Sequence, residues 1–100
     1  MALTKSDLIR ERKLEKMVGI LKAVAHPMRL QIVNILMSGE CPVWMLVKML
    51  GAKQSLTSQQ LGKLKTSGIV KSRRNGNVVF YSLKEGSTKA IITSILAEIA

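Results

Sequence analysis

Apolar side chains recur at helical intervals along the first part of this chain. One stripe comprises Leu14, Met17, Val18, Leu21 and Val24, which predicts a first helix with one apolar face. Thr4 or Ser6 is its expected N-cap, because a short hydroxyl side chain accepts a hydrogen bond from the first turn. A second helix is expected from Pro27 to Met37, since proline is tolerated at a helix start. Its expected buried residues are Leu30, Val33, Ile35 and Leu36.

The middle of the chain predicts two further helices and then a hairpin. Pro42 and Gly51 bound the third helix, and the fourth covers Gln54 to Thr66. The expected inner face of the fourth helix is Thr57, Leu61 and Leu64. Strand-like runs then flank Asn75-Gly76, a dipeptide that tolerates positive φ and is a strong hairpin signal. A last helix carries an apolar face of Ile91, Ile92, Ile95 and Ile99.

These elements follow the order α-α-α-α-β-β-α and predict one mainly helical α+β domain over residues 1–100. A helix-turn-helix over residues 42–67, followed by a hairpin over residues 69–83, is the arrangement of a winged helix-turn-helix. The 100 residues suffice for one small core, and 47% hydrophobic content excludes a disordered chain. No apolar run reaches the ~20 residues that span a bilayer, and the charged N-terminus lacks a signal-peptide core. A cytoplasmic protein is therefore expected.

Charge divides the chain into two unequal parts. The protein has 16 Lys and Arg against 6 Asp and Glu, a formal net charge of +10. From Cys41 to Lys84 there are eight Lys and Arg residues and no acid. Phosphates attract these cations and repel carboxylates, so this part of the chain is expected to face double-stranded DNA. An anionic membrane also suits a basic chain, but the order of elements favours DNA.

The fourth helix is the expected recognition helix, the one that enters the major groove. Its outer face collects uncharged polar residues near the N-terminal end, namely Gln54, Ser55, Ser58 and Gln59. Glutamine pairs with adenine edges, and serine contacts either bases or phosphates, so these four residues are the candidate base readers. The alternative is an ordinary polar surface helix, although such a face is more often built from Glu and Lys.

Cations around this helix and in the hairpin are the candidate contacts to the DNA backbone. Contacts of this kind set register without reading sequence. The candidates are Lys53, Lys63 and Lys65 beside the helix, and Lys71, Arg73, Arg74, Asn75 and Asn77 in the hairpin, which we call the wing. A solvated hairpin whose edge cations oppose aggregation is the alternative for the wing. Its position directly after the recognition helix favours DNA.

Two segments carry a resemblance to a known family: LKAVAHPMRLQIVNIL and KQSLTSQQLGKLKTSGIVKSRRNGNVVFYSL. Over about residues 20 to 83, the order and spacing of their motifs resemble the ArsR/SmtB family of bacterial and archaeal repressors. The resemblance implies a homodimeric winged helix repressor that binds an imperfect palindrome. It also implies a dimer built from the first and last helices, residues 1–25 and 85–100. A mean hydropathy of +0.20 agrees with apolar surface kept for a second copy.

The fourth helix departs from the family pattern at three positions. Leu56 stands where the family usually has a small polar residue, and Thr57 stands where valine is commoner. Leu56 is left out of the base-reading set, because it would either touch a thymine methyl group or pack inward. Gln60 occupies a position often held by histidine and is expected to contact phosphate.

Metal sensing, known in the resembling family, is not expected in this chain, and no cofactor is expected. Pro42 and Trp44 fall on the two cysteine-ligand positions of the family's third helix, and the last helix offers only Glu98 as an acid. His26 and Cys41 are the only imidazole and the only thiol, too few for a Zn²⁺ site of about four ligands. His26 is instead expected to begin the second helix.

Cys41 is the one candidate sensor residue. At a helix N-terminus the dipole would lower the pKa of its thiol and favour the reactive thiolate. The hypothesis is a redox or reactive-sulfur sensor acting through an intersubunit disulfide or a mixed adduct, although sensor cysteines usually have a resolving partner. Trp44, Met45 and Met49 would line an effector pocket between subunits or, as we expect, belong to the core.

Other function classes have less support in the sequence. A single histidine, no paired nucleophile and no glycine-rich phosphate loop argue against an enzyme. Three aromatic residues are few for the base stacking on which RNA and single-strand binding depend. A winged-helix protein-interaction module and a non-specific architectural DNA-binding protein remain alternatives to a sequence-specific regulator. The sequence leaves open whether such a regulator represses or activates.

Overall fold

The fold is a bundle of five helices with a small antiparallel sheet at one side. The computed structural model describes residues 3–99, apart from the side chains of Ser87 and Ile99. Its helices are α1 (Glu11–Val24), α2 (Pro27–Leu36), α3 (Val43–Leu50), α4 (Gln54–Thr66) and α5 (Ser87–Ile99). Its strands are β1 (Cys41–Pro42), β2 (Val70–Asn75) and β3 (Val78–Leu83). The expected winged helix-turn-helix order is confirmed, with β1 as an addition.

Strand β1 makes the sheet three-stranded, where the sequence predicted only a hairpin. The strand order is β1-β3-β2, and β1 pairs antiparallel with β3 through Cys41 opposite Tyr81 and Pro42 opposite Phe80. Two residues are too few to show an alternating pattern, so this strand had no sequence signal. It anchors the start of α3 to the wing.

The turn of the wing lies one position later than predicted. Strands β2 and β3 pair from Val70 opposite Leu83 to Asn75 opposite Val78, which leaves Gly76 and Asn77 as the two-residue connection. Gly76 has φ +62°, a conformation that glycine adopts without steric penalty. Asn75 therefore ends β2 instead of occupying the turn.

The core lies where α2, α3, α4 and the sheet meet. Its fully buried side chains include Ile32, Val33, Leu46, Leu61, Leu64, Ile69 and Val70. The predicted inner face of α4 is confirmed, because Thr57, Leu61 and Leu64 are all 0% exposed. In α2 the prediction was partly wrong, since Ile32 is buried while Leu30 and Ile35 are half-buried. Helix α2 packs against α1, α3 and α4 together, so its buried arc is wider than one stripe.

The first helix begins later than predicted, at Glu11. Thr4 instead precedes a 3₁₀ turn (Lys5–Asp7), where its backbone N–H donates to Oδ2 of Asp7 at 2.7 Å. The start of α2 is as expected: His26 is the N-cap, and its Nδ1 accepts from the N–H of Met28 at 3.2 Å. Proline at position 27 then occupies the first helical turn.

Two groups of large apolar side chains remain exposed. On α1, Leu14, Val18 and Leu21 are 44%, 39% and 47% exposed, while Ile20 and Val24 are buried. Trp44, Met45 and Met49 on α3 are 57%, 37% and 60% exposed, so the expectation that they belong to the core is wrong. The short helix α3 buries only Leu46 fully, which leaves the rest of its apolar surface outside. No helix within residues 3–99 has the length and apolar character to cross a membrane.

Candidate nucleic-acid interface

The helix-turn-helix is formed by α3, a tight turn and α4. Gly51 ends α3 with φ +62°, in the left-handed conformation that reverses the chain over a short distance. Lys53 is the N-cap of α4, and Thr57 reinforces the first turn by donating from Oγ1 to the carbonyl of Lys53 at 3.0 Å. With its inner face buried in the core, α4 has a fixed outer face.

That outer face holds the four candidate base readers. Gln54, Ser55, Ser58 and Gln59 are all exposed. Within the described part of the chain, none of their side chains forms a hydrogen bond or an ion pair. Amide and hydroxyl groups that are exposed and have no internal partner are available to the polar edges of bases.

A groove joins the start of α4 to the wing. It has a volume of about 270 Å³ and is lined by residues of α3, α4 and the hairpin, among them Trp44, Gln54, Ser58, Asn77 and Val78. The groove thus brings together two of the candidate readers and the tip of the wing. Trp44, which the sequence placed in the core, forms one of its walls.

Most of the residues predicted to contact the DNA backbone are exposed. Lys53, Lys63, Lys71, Arg74, Asn75 and Asn77 all lie on the surface of α4 or the wing. Lys65 is also exposed, and its Nζ donates to Oγ of Ser72 at 2.8 Å. This bond ties the last turn of α4 to β2, so the recognition helix and the wing share one polar surface.

Arg73 is held in place by an acid that the charge pattern did not connect with it. Its Nη2 and Nε donate to the two carboxylate oxygens of Glu40 at 2.6 and 2.8 Å, and its guanidinium lies 4.5 Å from the Phe80 ring centroid. The hydrogen bond from Arg73 holds the pKa of Glu40 below its ordinary value. The carboxylate of Glu40, the residue immediately before the acid-free stretch, therefore contacts a residue of that stretch.

Gln60 must be removed from the set of phosphate contacts. Its side chain is 5% exposed, and its Oε1 accepts a hydrogen bond from Nη1 of Arg29 at 2.9 Å. Position 60 faces inward because it lies next to the buried residues Thr57, Leu61 and Leu64 on the helix circumference. The arginine that donates to Gln60 is Arg29, a half-buried residue that no sequence pattern marked.

The surroundings of Cys41 do not favour the hypothesised reactive thiolate. The helix α3 begins at Val43, so Cys41 lies in β1 rather than at the first turn of a helix. Its side chain is 5% exposed, and burial raises the pKa of the thiol above its ordinary value. Both observations favour the protonated, unreactive form.

Among the described residues, no group of three or more His, Cys, Asp or Glu side chains is placed to hold a metal ion. His26 caps α2, and Cys41 is buried in β1, so the one imidazole and the one thiol serve separate structural positions. Pro42 and Trp44 stand at the family's two cysteine-ligand positions, and neither side chain is a ligand for Zn²⁺.

An exposed polar recognition helix, a basic wing and a helix-turn-helix together define a winged helix DNA-binding protein. Residues 26–72 match the model of the family described as "Bacterial regulatory protein, arsR family". The biofilm growth-associated repressor of Xylella fastidiosa is 37% identical over 93 residues, which cover 93% of this chain and 80% of that protein. The chain belongs to the arsR family of transcriptional regulators.

Solved structures agree with this assignment. The transcriptional activator HlyU of Vibrio cholerae is 39% identical over 82 residues, covering 82% of this chain and 76% of that protein. A solved structure of HlyU has a TM-score of 0.82 and covers 86% of this chain and 94% of that chain at 37% identity. An NMR structure from Mycobacterium bovis, described as a homodimeric winged helix-turn-helix DNA-binding domain, has a TM-score of 0.79 at 26% identity, covering 91% of this chain and 87% of its own. The arsR family and the two named relatives from Xylella fastidiosa and Vibrio cholerae are transcriptional regulators, not enzymes.

Proposed function

We propose that this protein is a sequence-specific repressor that binds a palindromic operator in double-stranded DNA as a homodimer. The observation that carries the proposal is the outer face of α4. Its four uncharged residues, Gln54, Ser55, Ser58 and Gln59, are exposed and have no polar partner within the described chain. Around them the surface is cationic. A DNA-binding regulator of this kind acts in the cytoplasm, where bacterial DNA lies.

In the proposed complex, the four residues of α4 read base edges and the surrounding cations hold the backbone. The backbone contacts are Lys53, Lys63, Lys65, Lys71, Arg74, Asn75 and Asn77. Arg73 joins them only if phosphate displaces Glu40 from its guanidinium. Such contacts orient the protein on the duplex, whereas the hydrogen bonds to bases select the site.

We assign dimerisation to the segments 1–25 and 85–100. The support is the exposed apolar face of α1, formed by Leu14, Val18 and Leu21, because a second copy would cover it. Residues 1, 2 and 100 lie outside the described part of these segments. The two recognition helices of the dimer should lie about one DNA turn, ~34–36 Å, apart, so that each reads one half of the palindrome.

Repression is the favoured outcome of binding because the Xylella fastidiosa relative is named a repressor. The HlyU relative is named an activator, so the direction of regulation has to be measured. We further propose that metal ions do not release the DNA, since the imidazole and thiol of this chain occupy unrelated positions. The hypothesis of sensing through Cys41 is not favoured, since the thiol is buried and its pKa is raised.

The test is selection of duplexes from a random-sequence library by the purified protein, followed by footprinting on the enriched sites. The expected result is enrichment of an inverted repeat whose half-sites are centred about 10 base pairs apart and protected together. A reporter gene with that repeat in its promoter should lose expression when the protein is produced. Equal retention of all sequences would favour an architectural protein instead, and absence of binding would favour a protein-interaction module.

A further inference from the structure

Arg29 is an oriented guanidinium outside the predicted DNA contacts. It lies in the first turn of α2, half-buried, and its Nε donates to the carbonyl of Ala23 at 2.6 Å. Its Nη1 donates to Oε1 of Gln60 at 2.9 Å. Both acceptors are uncharged, and no ion pair among the described residues includes Arg29. The guanidinium is therefore fixed in direction while its charge is not neutralised.

Arg29 lines an open groove between α1 and α4. The groove has a volume of about 710 Å³, and two exposed lysines, Lys22 of α1 and Lys63 of α4, line it as well. No acid is among its described lining residues. Gly19 and Gly62 leave it wide, since a Cβ at either position would meet no atom within 4 Å. Three cations thus surround a site with room for an anion.

The groove continues the proposed DNA surface on the second flank of α4. The groove on the first flank contains Gln54 and Ser58 together with the wing, whereas this one contains Gln59 and Lys63 together with α1. A helix lying in a major groove has a sugar–phosphate strand on each side. The wing cations account for one strand, and the cations of the α1–α4 groove are placed for the other.

We propose that the α1–α4 groove binds a phosphate diester of the DNA backbone, with Arg29 as the oriented donor and Lys22 and Lys63 beside it. The proposal rests on the DNA-binding function proposed above. Gln60 then has a positioning role: it does not contact the phosphate, but it holds the guanidinium that does. A guanidinium suits this task because its planar fork matches phosphate oxygens.

The substitution Gln60→Glu tests this role with little change in shape. A carboxylate at position 60 still accepts from Nη1 of Arg29, but it neutralises the guanidinium. The matched control is Gln31→Glu, which makes the same amide-to-acid change at an exposed position of α2 that does not line the groove. Binding is measured by fluorescence anisotropy over a range of salt concentrations, on a duplex selected by the unsubstituted protein.

We expect Gln60→Glu to weaken binding at least ~10-fold and to lower the slope of log Kd against log salt by about 0.9 per subunit. The control Gln31→Glu should leave the slope unchanged. Equal slopes for the two variants would overturn the proposal. Should Gln60→Glu fail to fold, Lys22→Gln and Lys63→Gln replace exposed cations of the groove, and unchanged slopes for both would overturn it equally.

Two further measurements separate the sources of phosphate and the two proposals. The first is an NMR titration of the protein alone with inorganic phosphate, in which the Nε resonance of Arg29 is followed. Ionic strength is held constant, and chloride is the control. Saturation at millimolar phosphate would assign the groove to a free anion and overturn its assignment to the duplex backbone. If the unsubstituted protein selects no duplex, the proposed function itself fails; if it does and only the slopes are unchanged, only this inference fails.

Discussion

The outer face of α4 and the wing belong to the same acid-free stretch, yet their polar groups are prepared differently. Gln54, Ser55, Ser58 and Gln59 have no internal polar partner, whereas Arg73 is held by Glu40 and Phe80. Lys65 and Ser72 form a further bond between the two regions. The two serines of α4 lose little rotamer freedom on binding, while a glutamine or a long arginine loses more unless it is already ordered. The four candidate base readers are thus without internal polar partners in the described chain, whereas Lys65 and Arg73 among the candidate backbone contacts are already hydrogen-bonded within the chain.

Arg29 and Arg73 sharpen the same comparison. Each guanidinium donates two hydrogen bonds within the chain, but Arg73 donates to a carboxylate and Arg29 to neutral oxygens. The pair of Arg73 and Glu40 is neutral overall, so a phosphate must compete with Glu40 for the guanidinium. Arg29 has no acidic partner among the described residues, so its guanidinium keeps its full charge. Orientation alone therefore does not tell whether an arginine is available to DNA.

The largest effect should follow substitution of a reading residue. Gln59→Ala is expected to weaken binding to the selected duplex by about 1–3 kcal/mol per subunit, because one base edge loses its partner. Binding to a random duplex should change little. Anisotropy titrations on both duplexes measure the difference, and the melting temperature should be unchanged because the side chain is exposed.

The matched variant is Ser58→Ala, also exposed on the outer face of α4. It removes one hydroxyl group and should likewise reduce discrimination between the two duplexes. Equal losses on selected and random DNA for Gln59→Ala would show that the residue contacts the backbone rather than a base.

A smaller and uniform effect is expected in the wing. Arg74→Gln removes an exposed cation that forms no ion pair within the described residues. Binding to selected and random duplexes should weaken alike, and the slope of log Kd against log salt should fall by about one per subunit. Salt titrations on the two duplexes test this. A loss confined to the selected duplex would instead make Arg74 a reading residue.

The smallest effect, and one of opposite sign, is expected at Glu40. Glu40→Gln leaves an amide oxygen that can still accept from Arg73 but removes the charge that neutralises its guanidinium. Binding should therefore strengthen a few-fold on both duplexes, and the salt slope should rise by about one per subunit. The matched control is Glu85→Gln, which breaks the ion pair with Lys89 (3.2 Å) on α5 with the same change of charge. An equal increase in DNA affinity for the two variants would show that the effect comes from net charge and not from Arg73.

The pKa of Glu40 adds a condition to that experiment. Because the hydrogen bond from Arg73 lowers the pKa, the ion pair is fully formed above the ordinary value for glutamate and is lost only as the pH falls through the lowered value. Between about pH 6 and 8 this pair should not titrate. The difference between Glu40→Gln and the unsubstituted protein should therefore be constant over that range.

The recognition helix was predictable because its information is local. The spacing of Thr57, Leu61 and Leu64 defines one buried face, and Gly68 provides the stop after Thr66. The hairpin was also predictable from its turn residues, although the turn lies one position later. Periodicity and turn chemistry depend on neighbouring residues, so the sequence contains them directly.

The remaining features depend on contacts between distant residues. Arg29 and Gln60 are 31 positions apart, and Glu40 and Arg73 are 33 apart. No periodicity connects such pairs, and the net charge of a segment does not reveal an acid that folds onto it from outside. The same reason applies to Cys41, because its burial follows from a two-residue strand that exists only through its pairing with β3.

The exposed apolar stripe of α1 has a consequence for how the protein would work in a cell. If Leu14, Val18 and Leu21 are covered only on assembly, the competent species forms by mass action from two separate chains. At low abundance the amount of that species rises with the square of the chain concentration. Occupancy of a promoter would then respond more steeply to synthesis and dilution of the protein than binding by a single chain allows. A few hydrophobic side chains would in this way set a threshold in gene expression.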